Sequence, residues 1–195
     1  MKRYWYFAST LPSFPFGAPP PMSVQEFDIL CERLVEAEDL SLLKAVELVR
    51  EGDRVPGMEK SPFLAAYFDW ERGIRNALVQ IRARELKWPA DSFMRQGIAP
   101  QLAVQAAQAV YSAPDPLQAE LTFERERWNA IESLSALSAF DLDYLIAYKL
   151  KLLIAARCAS FDNDKGMQGF QNYYQDILQT APEAAGSVND SGVAS

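Results

Sequence analysis

The sequence predicts an all-α fold of about seven helices, and three observations carry that expectation. Apolar residues recur at three- and four-residue spacing through most of the chain, helix-capping residues stand before most of the periodic runs, and glycine or proline marks the breaks between them. At 195 residues, with 49% hydrophobic and 12% aromatic content, the chain can bury a substantial core, and global disorder is excluded.

Residues 1–22 hold Tyr4, Trp5, Tyr6, Phe7, Phe14 and Phe16 interleaved with Pro12, Pro15, Pro19, Pro20 and Pro21. Each proline fixes φ and removes a donor, so the segment is expected to be an extended strap pinned by Tyr4, Trp5, Tyr6 and Phe16 on a helical body. Ser23 and Glu26 form a capping box that starts a helix at about Val24, with Phe27, Leu30, Cys31, Leu34 and Val35 facing inward. Asp39 or Ser41 is the expected cap of a second helix carrying Leu42, Leu43, Val46 and Val49, stopped by Gly52. Ser61 followed by Pro62 marks the start of a long helix running to about Trp88, because proline in the first turn forfeits no hydrogen bond. Its stripe is Leu64, Tyr67, Phe68, Ile74, Leu78 and Ile81, and Glu71 and Arg75 stand one turn apart as an ion pair.

A short helix over Ser92 to Gln96, a break at Gly97 and an alanine- and glutamine-rich helix from Pro100 to Tyr111 follow. Ala113-Pro114-Asp115-Pro116 reads as a boundary, with Asp115 capping a helix from Leu117 to about Leu137. Within it, Glu124, Arg125, Glu126 and Arg127 read as a solvated charge run. Asp141 starts a helix apolar on two sides and therefore central to the core. Asp162 to Gly166 makes a turn, a last helix carries Phe170, Tyr173, Tyr174, Ile177 and Leu178, and a disordered tail is expected from Ala181. The expected organisation is thus a strap over 1–22, one helical unit over 23–112, a second over 113–180 packed on it, and a tail over 181–195. A weak echo of Phe68-Asp69-x-Glu71 in Phe140-Asp141-x-Asp143 is open to two accounts, tandem units or chance.

Composition narrows function mainly by exclusion. A formal net charge of −7 disfavours nucleic acid and anionic membrane surfaces. No uncharged apolar run approaches a membrane span, and the first residues lack a secretory core, so a cytoplasmic location is expected. Cys31 and Cys158 are expected as buried free thiols, with one disulfide as the alternative. The chain has no histidine, so a Glu-x-x-His dinuclear centre and histidine-activated nucleophiles are ruled out, and neither a Walker lysine motif nor Gly-x-Gly-x-x-Gly occurs. Asp162-x-Asp164-x-Gly166 departs from a calcium loop at its fifth and twelfth positions. No cofactor or metal is implied. Carboxylates remain the candidate catalytic groups, namely Asp69, Glu71, Glu85, Glu124, Glu126, Asp141 and Asp143, but solvated helix faces and interhelical ion pairs are the better account of them. The reading is noncatalytic, with a helical carboxylate enzyme as its competitor.

Tyr4-x-Tyr6-x-x-Ser9-x-Leu11-Pro12, Phe16-Gly17-x-x-Pro20-Pro21, Ser23 and the Phe27 helix together resemble the start of a bacterial protein family of unknown function encoded in V-type ATPase operons. Asn76 to Arg84 resembles a helix of the central-stalk socket protein of V/A-type ATPases, the all-helical component that joins the rotor stalk to the membrane ring. The Phe140-Asp141 helix leading to Phe161-Asp162 and Gly166 is similar to the second half of a repeated unit of that socket. The first resemblance covers most of the chain; the second is distant, and the socket protein is considerably longer. The resemblance implies a noncatalytic component of the V-type ATPase with rotor-stalk and membrane-ring subunits as partners, peripheral to the inner membrane through the ATPase; an assembly or regulatory factor of the same machine is the alternative. For residue roles, Asn76 is expected to hydrogen-bond across to a neighbouring unit, and Arg75 and Arg82 to pair with carboxylates there, against ordinary core-edge placement.

Overall fold

The computed structural model describes residues 4–48, 55–97 and 100–161. Among them it forms seven helices and no strand: α1 (Trp5–Thr10), α2 (Val24–Leu34), α3 (Ala37–Ala45), α4 (Pro62–Leu86), α5 (Gln101–Tyr111), α6 (Pro116–Leu134) and α7 (Leu142–Ala159). The all-α expectation holds. No helix among the described residues is long and apolar enough to cross a membrane. The expected last helix, the Asp162 turn, the tail, Val49 and Gly52 lie outside the described residues.

Local chemistry sets most helix starts. Ser23 Oγ accepts from the Glu26 amide while the Glu26 carboxylate accepts from the Ser23 amide, completing the capping box of α2. Ser61 caps α4 ahead of Pro62, Asp115 caps α6 ahead of Pro116, and Asp141 caps α7 by accepting from the Tyr144 amide. α4 ends where Lys87 takes a left-handed conformation, two residues before Pro89. Between α4 and α5 the expected Ser92–Gln96 helix is instead a single 3₁₀ turn, Ala90–Ser92. Gly97 has φ +138°, and a Cβ there would meet Arg72 Nε at 2.7 Å, so only glycine fits this bend.

α3 departs from expectation. It starts at Ala37 behind Glu36, whose side chain makes no cap hydrogen bond. Asp39 is not a cap: its buried carboxylate accepts from Tyr4 Oη at 2.5 Å, and Ser41 Oγ donates back to the Glu38 carbonyl. The demand of the Tyr4 hydroxyl for a buried partner outweighs the local capping preference.

The N-terminal segment is extended only in part. Residues Trp5–Thr10 coil into α1, because the first proline is Pro12 and nothing before it forbids a helix; Leu11 then turns to extended backbone. Three of the four named residues contact the rest of the fold. The Tyr4 amide donates to the Phe140 carbonyl at 2.5 Å, Trp5 stacks on Phe140 at 4.4 Å between ring centroids, and Phe16 meets Trp128 edge-on at 5.8 Å. Tyr6 is 75% exposed and pins nothing. Phe7 and Phe14 do that work instead, Phe7 buried against Phe27 and Phe14 edge-on to both Trp128 and Tyr148.

α7 is the central element, as its two-sided pattern predicts. Leu145, Ile146, Leu150 and Ile154 are fully buried, and the helix packs on α2, α3, α4 and α6. Lys149 is buried with them, its ammonium donating to Asp28 at 2.8 Å and to the Leu43 carbonyl at 2.9 Å. α4 packs on α5, α6 and α7, so helices from both sides of the expected boundary at residue 113 share one core, and the described residues up to Ser160 form a single compact unit. The prolines at 114 and 116 end one helix and start the next within that core. Cys31 and Cys158 are free, and burial raises both thiols, that of Cys31 to about 12.

Ser61 joins two helices through one hydroxyl, accepting from the Leu64 amide at 3.0 Å and donating to the Asp143 carboxylate at 2.5 Å, all fully buried. Ser61→Ala is expected to cost about 1–3 kcal/mol, removing an N-cap and a buried donor together. Urea denaturation checks this, and an unchanged midpoint would remove Ser61 from the helix junction.

Candidate functional site

The Glu124 to Arg127 stretch corrects the sequence reading most sharply. It is not a solvated run: Glu124 is 0% and Arg127 1% exposed, whereas Arg125 is exposed and Glu126 half-buried. From α6, the Arg127 guanidinium reaches Glu71 of α4 through two bonds, Nη2 to Oε1 at 2.7 Å and Nε to Oε2 at 3.0 Å, and gives Nη1 to Glu124 Oε1 at 2.5 Å. Glu71 also binds Arg75 at 2.8 Å, the expected one-turn pair. From α7, Arg157 reaches Glu124 at 2.8 Å and Glu120 at 3.0 Å. The guanidinium of Arg127 lies 4.1 Å over the Phe123 ring.

This network joins α4, α6 and α7 by charge. Burial opposes the Arg127 charge, but the Glu71 hydrogen bonds and charge outweigh it and push its pKa up. Burial raises Glu124 despite Arg127 and Arg157, in keeping with an Oε2 that has no hydrogen-bond partner among the described residues. Tyr67 Oη, buried beside the network, also lacks one, and burial and the Glu71 charge raise the phenol far above its ordinary range. The sequence did carry a signal for this burial. Glu124 stands at i, i+4 and i+7 with Trp128 and Ile131, on the apolar face of α6.

Beside the network opens a cleft of about 590 Å³ whose lining includes Arg75, Asn76 and Arg82 of α4, Arg95, and Arg127 and Arg157. The structure therefore gathers three sequence-singled residues in one wall, together with three arginines that the sequence reading did not single out for a site. Asn76 does not bridge to another unit. Its amide donates to the Arg95 carbonyl at 2.7 Å and accepts from the Arg95 amide at 3.0 Å, holding the α4–α5 connection against α4. Arg75 pairs within its own helix, and Arg82 is exposed at the cleft mouth. Tyr4, Trp5, Tyr6 and Phe16 line no part of this cleft.

A second depression, of about 550 Å³, is apolar. Ala66 and Trp70 of α4, Leu102 and Ala106 of α5, and Ala130 and Leu134 of α6 line it, with Asp69, Gln105, Glu126, Asn129 and Ser133 among its polar margin. Leu102 is 64% exposed, an uncommon position for leucine on a helix this well packed.

Four of the remaining candidate carboxylates have structural engagements, and Glu126 lies on the margin of the apolar depression. Asp69 pairs with Arg72 at 2.5 Å, Glu85 accepts from the Tyr111 hydroxyl, Asp141 caps α7, and Asp143 accepts from Ser61. Among the described residues no group of three or more Cys, Asp or Glu side chains could hold a metal ion. No family model, curated protein or solved structure matches the chain.

Arg127→Met is expected to cost about 3–5 kcal/mol at neutral pH, since it removes the buried partner that Glu71 and Glu124 share and leaves each with only a half-exposed arginine. Burial already raises Glu124, and with the guanidinium gone its carboxyl rises further, so the folded state binds a proton more readily than the unfolded one and the variant regains stability as pH falls towards 5. Denaturation midpoints at pH 7.5 and 5.5 for both proteins test this, and a variant that loses stability over that interval in parallel with the parent would refute it.

Proposed function

We propose that this chain is a noncatalytic component of a V-type ATPase, acting as a helical coupling body between rotor-stalk and membrane-ring subunits. The observation that carries the reading is the apolar groove on α4, α5 and α6. A coupling body needs a face that receives another helix, and here exposed Leu102 and Leu134 flank a floor of alanines that permits close backbone approach. The groove stands on helices fixed by the Glu71–Arg127–Glu124 network, so load applied there passes into the core rather than bending a loop.

Two further features support it. The carboxylates best placed for acid–base work serve as caps and ion-pair partners, which is the use a structural protein makes of them. The Tyr4, Phe16 and Pro20-Pro21 positions that carry the operon-family resemblance belong to the segment that clamps α6 and α7, consistent with a shared design. The favoured occupant of the groove is an apolar helix with basic flanks from the stalk, matched to Glu126 on the margin and to the overall charge of −7.

The test is affinity capture of the tagged chain from its native membranes in mild detergent, with retained subunits identified and counted. One copy per ATPase, bound to stalk and ring subunits, is the expected result. Recovery with free subunits only would make the chain an assembly factor, and recovery of no ATPase subunit would overturn the reading. Leu102→Asp and Leu134→Asp are expected to abolish capture with helical content unchanged, because exposed substitutions shift stability by only about 0.5 kcal/mol; undiminished capture would place the contact elsewhere.

A further inference from the structure

The arginine-lined cleft has no role in that reading, and its chemistry is at odds with the rest of the molecule. Five of the chain's 19 basic residues, Arg75, Arg82, Arg95, Arg127 and Arg157, line one concavity of a protein whose formal charge is −7. Among the described residues its lining contains one carboxylate, Glu120, with Glu71 and Glu124 behind it. Partial exposure leaves the outer guanidiniums able to meet a ligand: the Arg75 side chain is 41% exposed, that of Arg157 39%, and Arg82 is exposed at the mouth. Arg75 and Arg82 stand two turns apart on one face of α4, spaced to engage successive anionic groups.

We propose that this cleft binds a small polyphosphate-bearing ligand. The cavity of about 590 Å³ falls within the size range of small-molecule sites and is too confined for a folded acidic surface. Arginine rather than lysine lines it throughout, and the planar guanidinium fork matches phosphate oxygens in pairs. The ligand must carry more than one charge. Arg75 already satisfies an internal carboxylate, and only a multiply charged anion repays sharing its guanidinium. Phe93, 62% exposed in the lining, offers a flat apolar surface that a ring-bearing ligand would cover and an inorganic chain would not. Asn76 keeps the segment carrying Arg95 in place through both of its amide groups, so that part of the wall is pre-organised. This inference stands on the cleft alone and does not depend on any ATPase association.

Calorimetric titration of the full chain with inorganic tripolyphosphate and, separately, with ATP tests it at 50 and 300 mM salt. Saturable one-to-one binding of at least one probe is expected, weakening as salt rises. Arg82→Gln removes a mouth guanidinium outside the buried network and is expected to weaken binding about tenfold, whereas Arg84→Gln, on the same helix but outside the cleft, leaves it within twofold. Arg82→Glu should abolish it. Phe93→Ser separates the sources: loss for ATP alone identifies a nucleotide-like ligand, and equal affinities for both probes identify the phosphate chain itself. No saturable heat with either probe, equal weakening by Arg82→Gln and Arg84→Gln, or binding of an oligoglutamate peptide in place of both probes would overturn the proposal.

Discussion

The burial of Arg127 is the constraint from which the arrangement of the long helices follows. A guanidinium cannot leave water unless its charge and its donors are matched, and the uncompensated penalty is several kcal/mol. Here Glu71 from α4 takes two of its donors and Glu124 from α6 a third, with the ring of Phe123 beneath the cation. A bidentate bond is directional, so α4 and α6 cannot rotate or slide relative to each other without breaking it. Arg157 extends the same constraint to α7 through Glu124. An apolar seam between these helices would tolerate small slips; this seam does not. Such a seam gives less net stability than hydrocarbon packing of equal volume would, and in return it specifies one geometry.

A second set of buried polar contacts fixes the other side of α7. Lys149 reaches both Asp28 of α2 and the carbonyl of Leu43 in α3, so one ammonium sets the position of two short helices that would be marginal alone. The N-terminal segment completes the closure. Tyr4 joins the Phe140 carbonyl to Asp39, the Tyr148 hydroxyl donates to the Pro12 carbonyl, and Phe14 and Phe16 lie edge-on to Trp128. Most of these contacts span sequence distances of more than a hundred residues. The segment is therefore a long-range part of the fold, held by aromatic rings, among which Tyr4 and Tyr148 serve both the apolar core and a polar acceptor.

What was legible in the sequence was what is decided within one helical turn. The Ser23–Glu26 box, Ser61-Pro62, Asp115-Pro116 and Asp141 each mark a helix start because capping depends on neighbours two or three residues away. The all-round apolar pattern of α7 likewise announced its central place. What was hidden depended on distant partners. Asp39 looked like a cap until Tyr4, 35 residues earlier, claimed its carboxylate. Glu124 and Arg127 looked solvated because charge alone suggests water, and distant partners make their burial tolerable, Glu71, 56 residues upstream, for Arg127, and Arg157 of α7, beside Arg127 itself, for Glu124. The candidate cleft was half legible: Arg75, Asn76 and Arg82 share one helix, whereas Arg95 and Arg157 join them only through the packing of the chain.

The same network also separates two surfaces of opposite chemistry. Both depressions draw on α4, α5 and α6, the apolar groove using residues 66–70 of α4 and 126–134 of α6, the cationic cleft residues 75–82 and 119–127. Glu71 falls between the two stretches of α4, and Arg127 stands where the two stretches of α6 meet, so the ion pair lies at the partition between them. An apolar groove and an arginine cluster this near one another would interfere if water and charge were shared freely. A neutralised, desolvated ion pair at the junction keeps the arginine field on one side, because the carboxylates behind the cleft terminate it. The partition explains why the least exposed charges of the molecule sit in the middle of its longest helices: there they hold the geometry of both surfaces while belonging wholly to neither.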